Sequence, residues 1–451
     1  MSFGVWNLEL IAVVRLAAGA TSRLFYRIDR VGAPPASGAA LLLPNHPNAL
    51  LDPAVIWSTA GRDVRFLAKS TLFDGPLGPL MRGAGAIPVY RRLDQGVDVS
   101  KNTETFAAVD RALAAGDAIS IFPEGISHST GRLEPLRTGA ARMALGAEHA
   151  GVPVALVPVG LNFERKTAFR SRVTVVYGAA FSCRDLADRG SGDPEAVRML
   201  TARMGGHMRR LVVEADPKGD AALVDRVDRL YAAARGRHGD SQDRIERRRA
   251  IARGMERLRA ADSRRHDEIL LRIRRYDERL QRFGLRDRHL DWRVSVADAI
   301  RFAARELLFG VVLGPVALVA IVAFAVPYQL TGLAARWFTR DPEVAATAKA
   351  VGGALIYAAW LAVLAAGVWF LSGPRLALLV GAALTGVAVA GLFAIERESA
   401  VLDAVRAWLL LRRTRDDTKR TLLRRRSELA DVLDDANRWV TAEEREGVSR
   451  Q

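Results

Sequence analysis

The chain has 451 residues, with 66 Lys plus Arg against 50 Asp plus Glu and a formal net charge of +16. That balance calls for an anionic partner, either an acidic membrane surface or phosphorylated substrates. Nucleic acid is set aside, because no helix-turn-helix, zinc-finger or aromatic-interleaved basic motif is visible. Cys183 is the only cysteine, which rules out an internal disulfide and a cysteine-based metal site, and the seven histidines show no ligand spacing, so no metal is expected.

Residues 1–35 predict an amphipathic helix lying in a membrane interface. Glu9, Arg15, Arg23, Arg27 and Arg30 fall within an arc of about 120° at roughly 100° per residue, opposite Leu10, Ile11, Val14, Leu24, Phe25 and Ile28. A helix packed on its own domain is the equal alternative. Glu9 interrupts the apolar stretch, and no positive region precedes it as a secretory signal requires.

From residue 36 to 190 short apolar runs alternate with helical patterns, which argues for an α/β domain. Strands are expected at Ala39–Leu43, Val64–Ala68, Ala86–Tyr90, Ala118–Phe122, Val154–Leu161 and Val173–Tyr177, and helices at Pro53–Thr59, Asn102–Ala115 and Gly139–His149. Four of the strands run into polar clusters. After the first come Asn45, His46 and Pro47, with Asp52 six residues beyond His46. An imidazole oriented by a carboxylate can take a proton from a hydroxyl, which commonly accelerates transfer about 10²–10⁴-fold. The same Asp52-Pro53 pair also reads as an N-cap followed by proline at the first helical position. The second cluster, Gly85 to Arg92, delivers two guanidinium groups suited to a phosphate, or simply exposed in a basic protein. The third, Ile119 to His128, holds Pro123, Glu124 and Gly125; Glu124 could meet an acceptor hydroxyl, orient Arg91 or cap a helix. The fourth, Val157 to Phe163 around Pro158, supplies a floor. Cys183 reads as a buried structural thiol.

Residues 191–296 change character. Asp243–Phe283 is rich in Arg, Glu and Asp, with apolar residues at helical intervals, and reads as long solvated helices with no catalytic constellation. Residues 297–396 form the membrane region. Val351–Leu371 and Leu376–Ala394 are each near the roughly 20 apolar residues that a spanning helix needs, separated by Ser372 to Arg375. Leu307–Leu330 is also long enough, but Pro315 and Pro327 are expected to break it into a re-entrant or interfacial element. The tail, residues 397–451, carries Arg406, Arg412, Arg413, Arg415, Lys419, Arg420, Arg424, Arg425 and Arg426 and is expected on the cytoplasmic side. A cytoplasmic catalytic domain then requires an even number of crossings. Three crossings with the tail outside is the minority reading of this charge pattern.

The four blocks, Asn-His-Pro…Asp, Gly-x-Ile-Pro-Val-x-Arg, Phe-Pro-Glu-Gly and Val-Pro-Val-Gly, resemble in kind and order the glycerolipid acyltransferase superfamily, which includes glycerol-3-phosphate and 1-acylglycerol-3-phosphate acyltransferases. The resemblance covers about residues 36–180. It implies an α/β acyltransferase domain with a mixed sheet flanked by helices, followed here by the charged helical segment and the C-terminal transmembrane helical region. It also implies His46 as general base, Asp52 as its orienter, and Arg91, Glu124 and Gly125 as binders of the acceptor's phosphate. Pro158 falls in the block tied to the acyl-donor side or to fold integrity, and Asn45 and Pro123 are motif residues of the first and third blocks. Five residues separate His46 from Asp52, where the usual block has four. That spacing, with Phe-Pro-Glu-Gly-Ile-Ser-His and Phe169-Arg170-Ser171-Arg172, is similar to the branch containing the yeast-type glycerol-3-phosphate acyltransferases.

The expected enzyme is an integral membrane acyltransferase of phospholipid biosynthesis. Its donor is acyl-CoA or acyl carrier protein, used as co-substrate with no cofactor, and its acceptor is glycerol 3-phosphate or its 1-acyl derivative, leaning to the former. Arg92 and Lys69 are expected beside Arg91. The competing readings are a non-catalytic lipid-binding scaffold and acyl transfer to a non-glycerol acceptor. The sequence sets no oligomeric state.

Overall fold

The computed structural model describes residues 3–75, 78–91, 99–215, 220–236, 239–291, 296–338, 347–391, 410 and 416–449. Arg92, Arg340 and the tail arginines from Arg406 to Arg415 lie outside these residues.

Contacts divide the chain into two units. The first comprises residues 1–222, 240–249 and 339–351. It is built on a seven-stranded sheet: β1 (Tyr26–Val31), β2 (Ala40–Pro44), β3 (Val64–Lys69), β4 (Ile87–Val89), β5 (Ala118–Ser120), β6 (Ala155–Phe163) and β7 (Ser171–Tyr177), in the order β1-β7-β6-β2-β5-β3-β4. Every neighbouring pair is parallel except β6 and β7, so the sheet is mixed, as expected. Successive side chains of a strand face opposite sides, and β2 feeds both layers accordingly. Leu41 and Leu43 enter a core with the helices Asn102–Ala114, Gly139–His149 and Pro194–Arg209, whereas Ala40 and Leu42 enter one with the helices α1 (Phe3–Phe25) and α2 (Leu51–Thr59). β2 is buried at every residue, as a central parallel strand covered on both faces must be. Cys183 lies fully buried in the first core, where burial and the nearby Glu148 and Asp185 push its thiol up to about 12.

Three expectations need correction. The N-terminal helix stops at Phe25, and the next six residues form β1 against β7, so Arg27, Ile28 and Arg30 belong to a strand. The helix packs on its own domain through Ser22, whose hydroxyl bonds the Ala54 carbonyl at 3.3 Å, and through buried Phe25, while Val13, Leu16 and Leu24 stay exposed. Second, Pro194–Arg209 is not part of a separate charged segment: Ala196, Val197, Leu200, Met204 and Met208 cover the sheet. Third, Pro315 and Pro327 sit inside one continuous helix, Val296–Phe338. Proline removes an amide donor, but a helix in an apolar region tolerates this where other donors take up the freed carbonyls. The carbonyl that Pro327 leaves without its amide partner is that of Ala323, and Trp360 Nε1 donates to it at 2.8 Å.

The second unit comprises residues 223–239, 250–338 and 352–451. Ser263–Arg282 buries a stripe of Ile269, Ile273, Tyr276 and Leu280 with Leu422, Leu429 and Ala436 of Asp416–Ser449. The charge run is therefore only partly a solvated face. Arg226 pairs with Asp277 and with Asp287 (2.7 Å to the latter), and Arg426 pairs with Asp291. Among the described residues, three helices are long and apolar enough to cross a membrane: Leu313–Ala334, Lys349–Ser372 and Pro374–Gly391.

Candidate active site

β2 ends at Pro44 and the chain turns over the C-terminal edge of the parallel strands, where ligands of open α/β sheets gather. Asn45 anchors the turn: its side-chain oxygen accepts from the Leu161 amide at 2.7 Å and its amide donates to the Leu161 carbonyl at 3.2 Å. His46 follows with its side chain 18% exposed, and its Nδ1 lies 2.8 Å from Oδ2 of Asp52, whose side chain is 0% exposed. An ionised carboxylate can only accept, which assigns the proton of this bond to Nδ1 and leaves Nε2 with the free lone pair. The five-residue spacer closes through Ala49, which adopts φ +45°, a left-handed conformation uncommon for a non-glycine residue. The Ser127 hydroxyl accepts the Ala49 amide at 3.0 Å.

Asp52 is not an N-cap. The helix begins at Leu51 with Leu50 in the cap position and no side-chain cap bond, and the Asp52 carboxylate turns back to accept from the Asn48 amide at 2.8 Å. Its Oδ1 has no hydrogen-bond partner among the described residues. Burial pushes this carboxyl above its ordinary range, opposed by its bond to His46 and by the charge of Lys166.

The third block forms the other wall. The Phe122 ring stacks on the His46 imidazole with centroids 3.9 Å apart. Glu124 is 1% exposed. It accepts from the His46 amide at 2.8 Å and the Glu134 amide at 2.7 Å, and its second oxygen also meets His128 Nε2. A carboxylate committed in this way braces the loop that carries His46. Arg91 donates to the Gly125 carbonyl at 2.7 Å, beside a residue whose φ of +74° suits glycine. Lys69 ends β3 in register with Val89 of β4, two residues before Arg91, so both cations reach one edge. Pro123 is buried and its carbonyl accepts the Arg137 amide at 2.7 Å. Pro158 pairs with Leu43 inside the sheet, which makes it part of the scaffold beneath the loop.

Sequence reading passed over His128, Asn48, Tyr26 and Lys166 as site residues. His128 stood in the quoted third block, but only the fold shows it holding Glu124. Lys166 lies 119 residues from its partner Pro47, and neither it nor Tyr26 falls in a motif.

Residues 27–162 match the family model Acyltransferase. Glycerol-3-phosphate O-acyltransferase 2 of Saccharomyces cerevisiae is 46% identical over 79 residues, 17% of this chain and 11% of that protein. Glycerol-3-phosphate O-acyltransferase 1 of the same yeast is 34% identical over 125 residues, 26% of this chain and 16% of that protein. Lyso-ornithine lipid O-acyltransferase of Brucella abortus is 32% identical over 149 residues, 32% of this chain and 52% of that protein. The matches thus span about half or less of the length of each relative.

Proposed function

Because residues 27–162 form a domain of the glycerolipid acyltransferase superfamily, we propose that this chain moves a fatty acyl group from an acyl thioester to a hydroxyl of glycerol 3-phosphate. The 1-acyl derivative is the second acceptor. The observation that carries the reading is the His46–Asp52 pair at the C-terminal edge of the sheet, 2.8 Å apart with the carboxylate fully buried. Nε2 of His46 takes the hydroxyl proton as the oxygen attacks the thioester carbonyl. The tetrahedral intermediate expels the thiolate of CoA or acyl carrier protein, which takes the proton back from His46, so no acyl-enzyme forms. Arg91 and Lys69 bind the acceptor's phosphate at the same edge, with Arg92 next in sequence. Glu124 acts through the loop.

The catalytic domain faces the cytoplasm. The basic tail, with Lys419, Arg420, Arg424, Arg425 and Arg426, supports a cytoplasmic C-terminus and an even number of crossings, with Lys349–Ser372 and Pro374–Gly391 as the spanning hairpin.

Membranes bearing wild type or His46→Ala, given labelled acyl-CoA and in turn glycerol 3-phosphate, lysophosphatidate and lyso-ornithine lipid, test the reading. Acylated glycerol 3-phosphate from wild type, lost about 10²-fold or more in the variant, is expected. Wild-type rates in the variant would sink the base assignment, and product only from lyso-ornithine lipid would move the acceptor outside the glycerol class.

A further inference from the structure

The loop between β6 and β7, residues 164–170, carries a cation that no sequence block marks. Lys166 is half-buried, and its Nζ donates to the Pro47 carbonyl at 2.9 Å and to the Ser129 hydroxyl. It therefore ties the loop of the first block to that of the third, beside the residue that follows the base. The backbone of Lys166 joins the same network. Its carbonyl accepts from the Tyr26 hydroxyl, which in turn accepts from the Asn48 side-chain amide at 2.7 Å. The loop itself is pinned: the Arg165 amide donates to the Ser171 hydroxyl at 3.0 Å, and Arg170, at φ +57°, donates its amide to the Phe25 carbonyl.

Lys166 also acts through its charge, as the smallest of several contributions that favour the ionised form of Asp52. Asp52 is fully buried and one carboxylate oxygen lacks a hydrogen-bond partner among the described residues. Ionising such a group is unfavourable unless cations compensate it. His46 and Lys166 both do so, and both favour the ionised form.

We propose that Lys166 is a positioning residue for acyl transfer. It clamps the Pro47 carbonyl to the third-block loop and holds Asp52 as a carboxylate, so that Nδ1 of His46 keeps its proton and Nε2 stays basic. This rests on His46 being the general base. Lys166 acts through the pair and is not the phosphate anchor, since two of its ammonium donors are committed to the loops.

The test compares full-length wild type, Lys166→Met, Lys166→Arg and His46→Ala in membranes, measuring kcat, the KM of glycerol 3-phosphate and the pH profile of kcat/KM. Lys166→Met should lower kcat about tenfold or more with KM within about twofold, because a small misplacement of the base is costly. Removing a positive charge favours protonation of Asp52, so the acid limb should move to higher pH by about half a unit or more. Lys166→Arg, which keeps the charge, should restore the limb. The other titratable groups bordering the pair, Tyr26 of β1 and Glu124 and His128 of the third-block loop, are unchanged in these variants, as is Lys349 on the Thr167 carbonyl. An unmoved acid limb, or a raised KM with kcat unchanged, overturns the proposal. If Lys166→Met does not fold, Lys166→Gln is read by the same criteria. A fully active His46→Ala refutes the base assignment instead, whatever Lys166 does.

Discussion

Replacing Asp52 by Asn isolates the charge of the orienting group from its shape. The amide can still place an oxygen where Oδ2 accepts from His46 Nδ1 and from the Asn48 amide, each at 2.8 Å in the wild type. What is lost is the negative charge beside the imidazolium that forms during transfer. The charge-assisted bond becomes a neutral one, a loss of about 1–1.5 kcal/mol. At an effective dielectric constant of about 20, two unit charges about 4 Å apart attract by about 4 kcal/mol, an upper bound for the transition-state term. At about 1.4 kcal/mol per decade, a net loss of about 3–4 kcal/mol lowers kcat about 10²–10³-fold, with acceptor KM within about threefold. The assay is initial-rate acylation of glycerol 3-phosphate in membranes, beside His46→Ala. A fall of less than about threefold, where His46→Ala loses more than about a hundredfold, would refute Asp52 as the orienter. Asp52 also leaves a signature in stability. Burial raises its carboxyl, so the folded state binds this proton more tightly than the unfolded chain does, and the group's contribution is present at low pH and lost as pH rises from the unfolded carboxyl value through the folded one. Unfolding temperature against pH in detergent should therefore flatten in Asp52→Asn across that window; an unchanged slope would contradict the burial argument.

Other outcomes follow from the same geometry. Arg91→Ala should raise the KM of glycerol 3-phosphate about tenfold or more with a smaller effect on kcat, in steady-state assays, if its guanidinium holds the phosphate. Glu124→Gln replaces one of two buried acceptor oxygens that receive the His46 amide, the Glu134 amide and His128. It should cost about 1–3 kcal/mol of stability in denaturant unfolding and lower kcat; unaltered stability would mean that the brace is dispensable. Cys183 is buried, so substituted-cysteine labelling should have a silent background. Thr103→Cys in the sheet-bearing unit and exposed Ser427→Cys in the tail helix should react from the cytoplasmic side alone. Labelling of Ser427→Cys from outside would establish an odd number of crossings.

Much of the site was legible because the local chain carries it. An apolar run ending at a proline is a buried strand meeting its edge, so His46, Arg91 and Glu124 could be placed at strand ends from sequence spacing alone. The role of Glu124 could not be read this way, since its partners His46 and Glu134 come from other parts of the chain. β1 was missed because Tyr26–Val31 alternates basic and apolar residues in a way that also fits a helix face, and only pairing with β7 decides between the periods. Likewise the prolines of Val296–Phe338 signalled a break that the folded helix does not make.

The sequence by itself determined the α/β class, the four strand-end clusters, the apolar C-terminal region and the candidate for the base, because these depend on short-range periodicity and on side-chain chemistry at a strand's end. Only the tertiary structure decided whether Asp52 caps a helix or turns back to His46, since both readings use the same residues and differ in a side-chain direction. The same holds for Glu124 as a brace and for Lys166 as a clamp, whose partners lie 78 and 119 residues away in the chain. Contacts at that separation depend on how the sheet brings its loops to one edge, which no local pattern encodes.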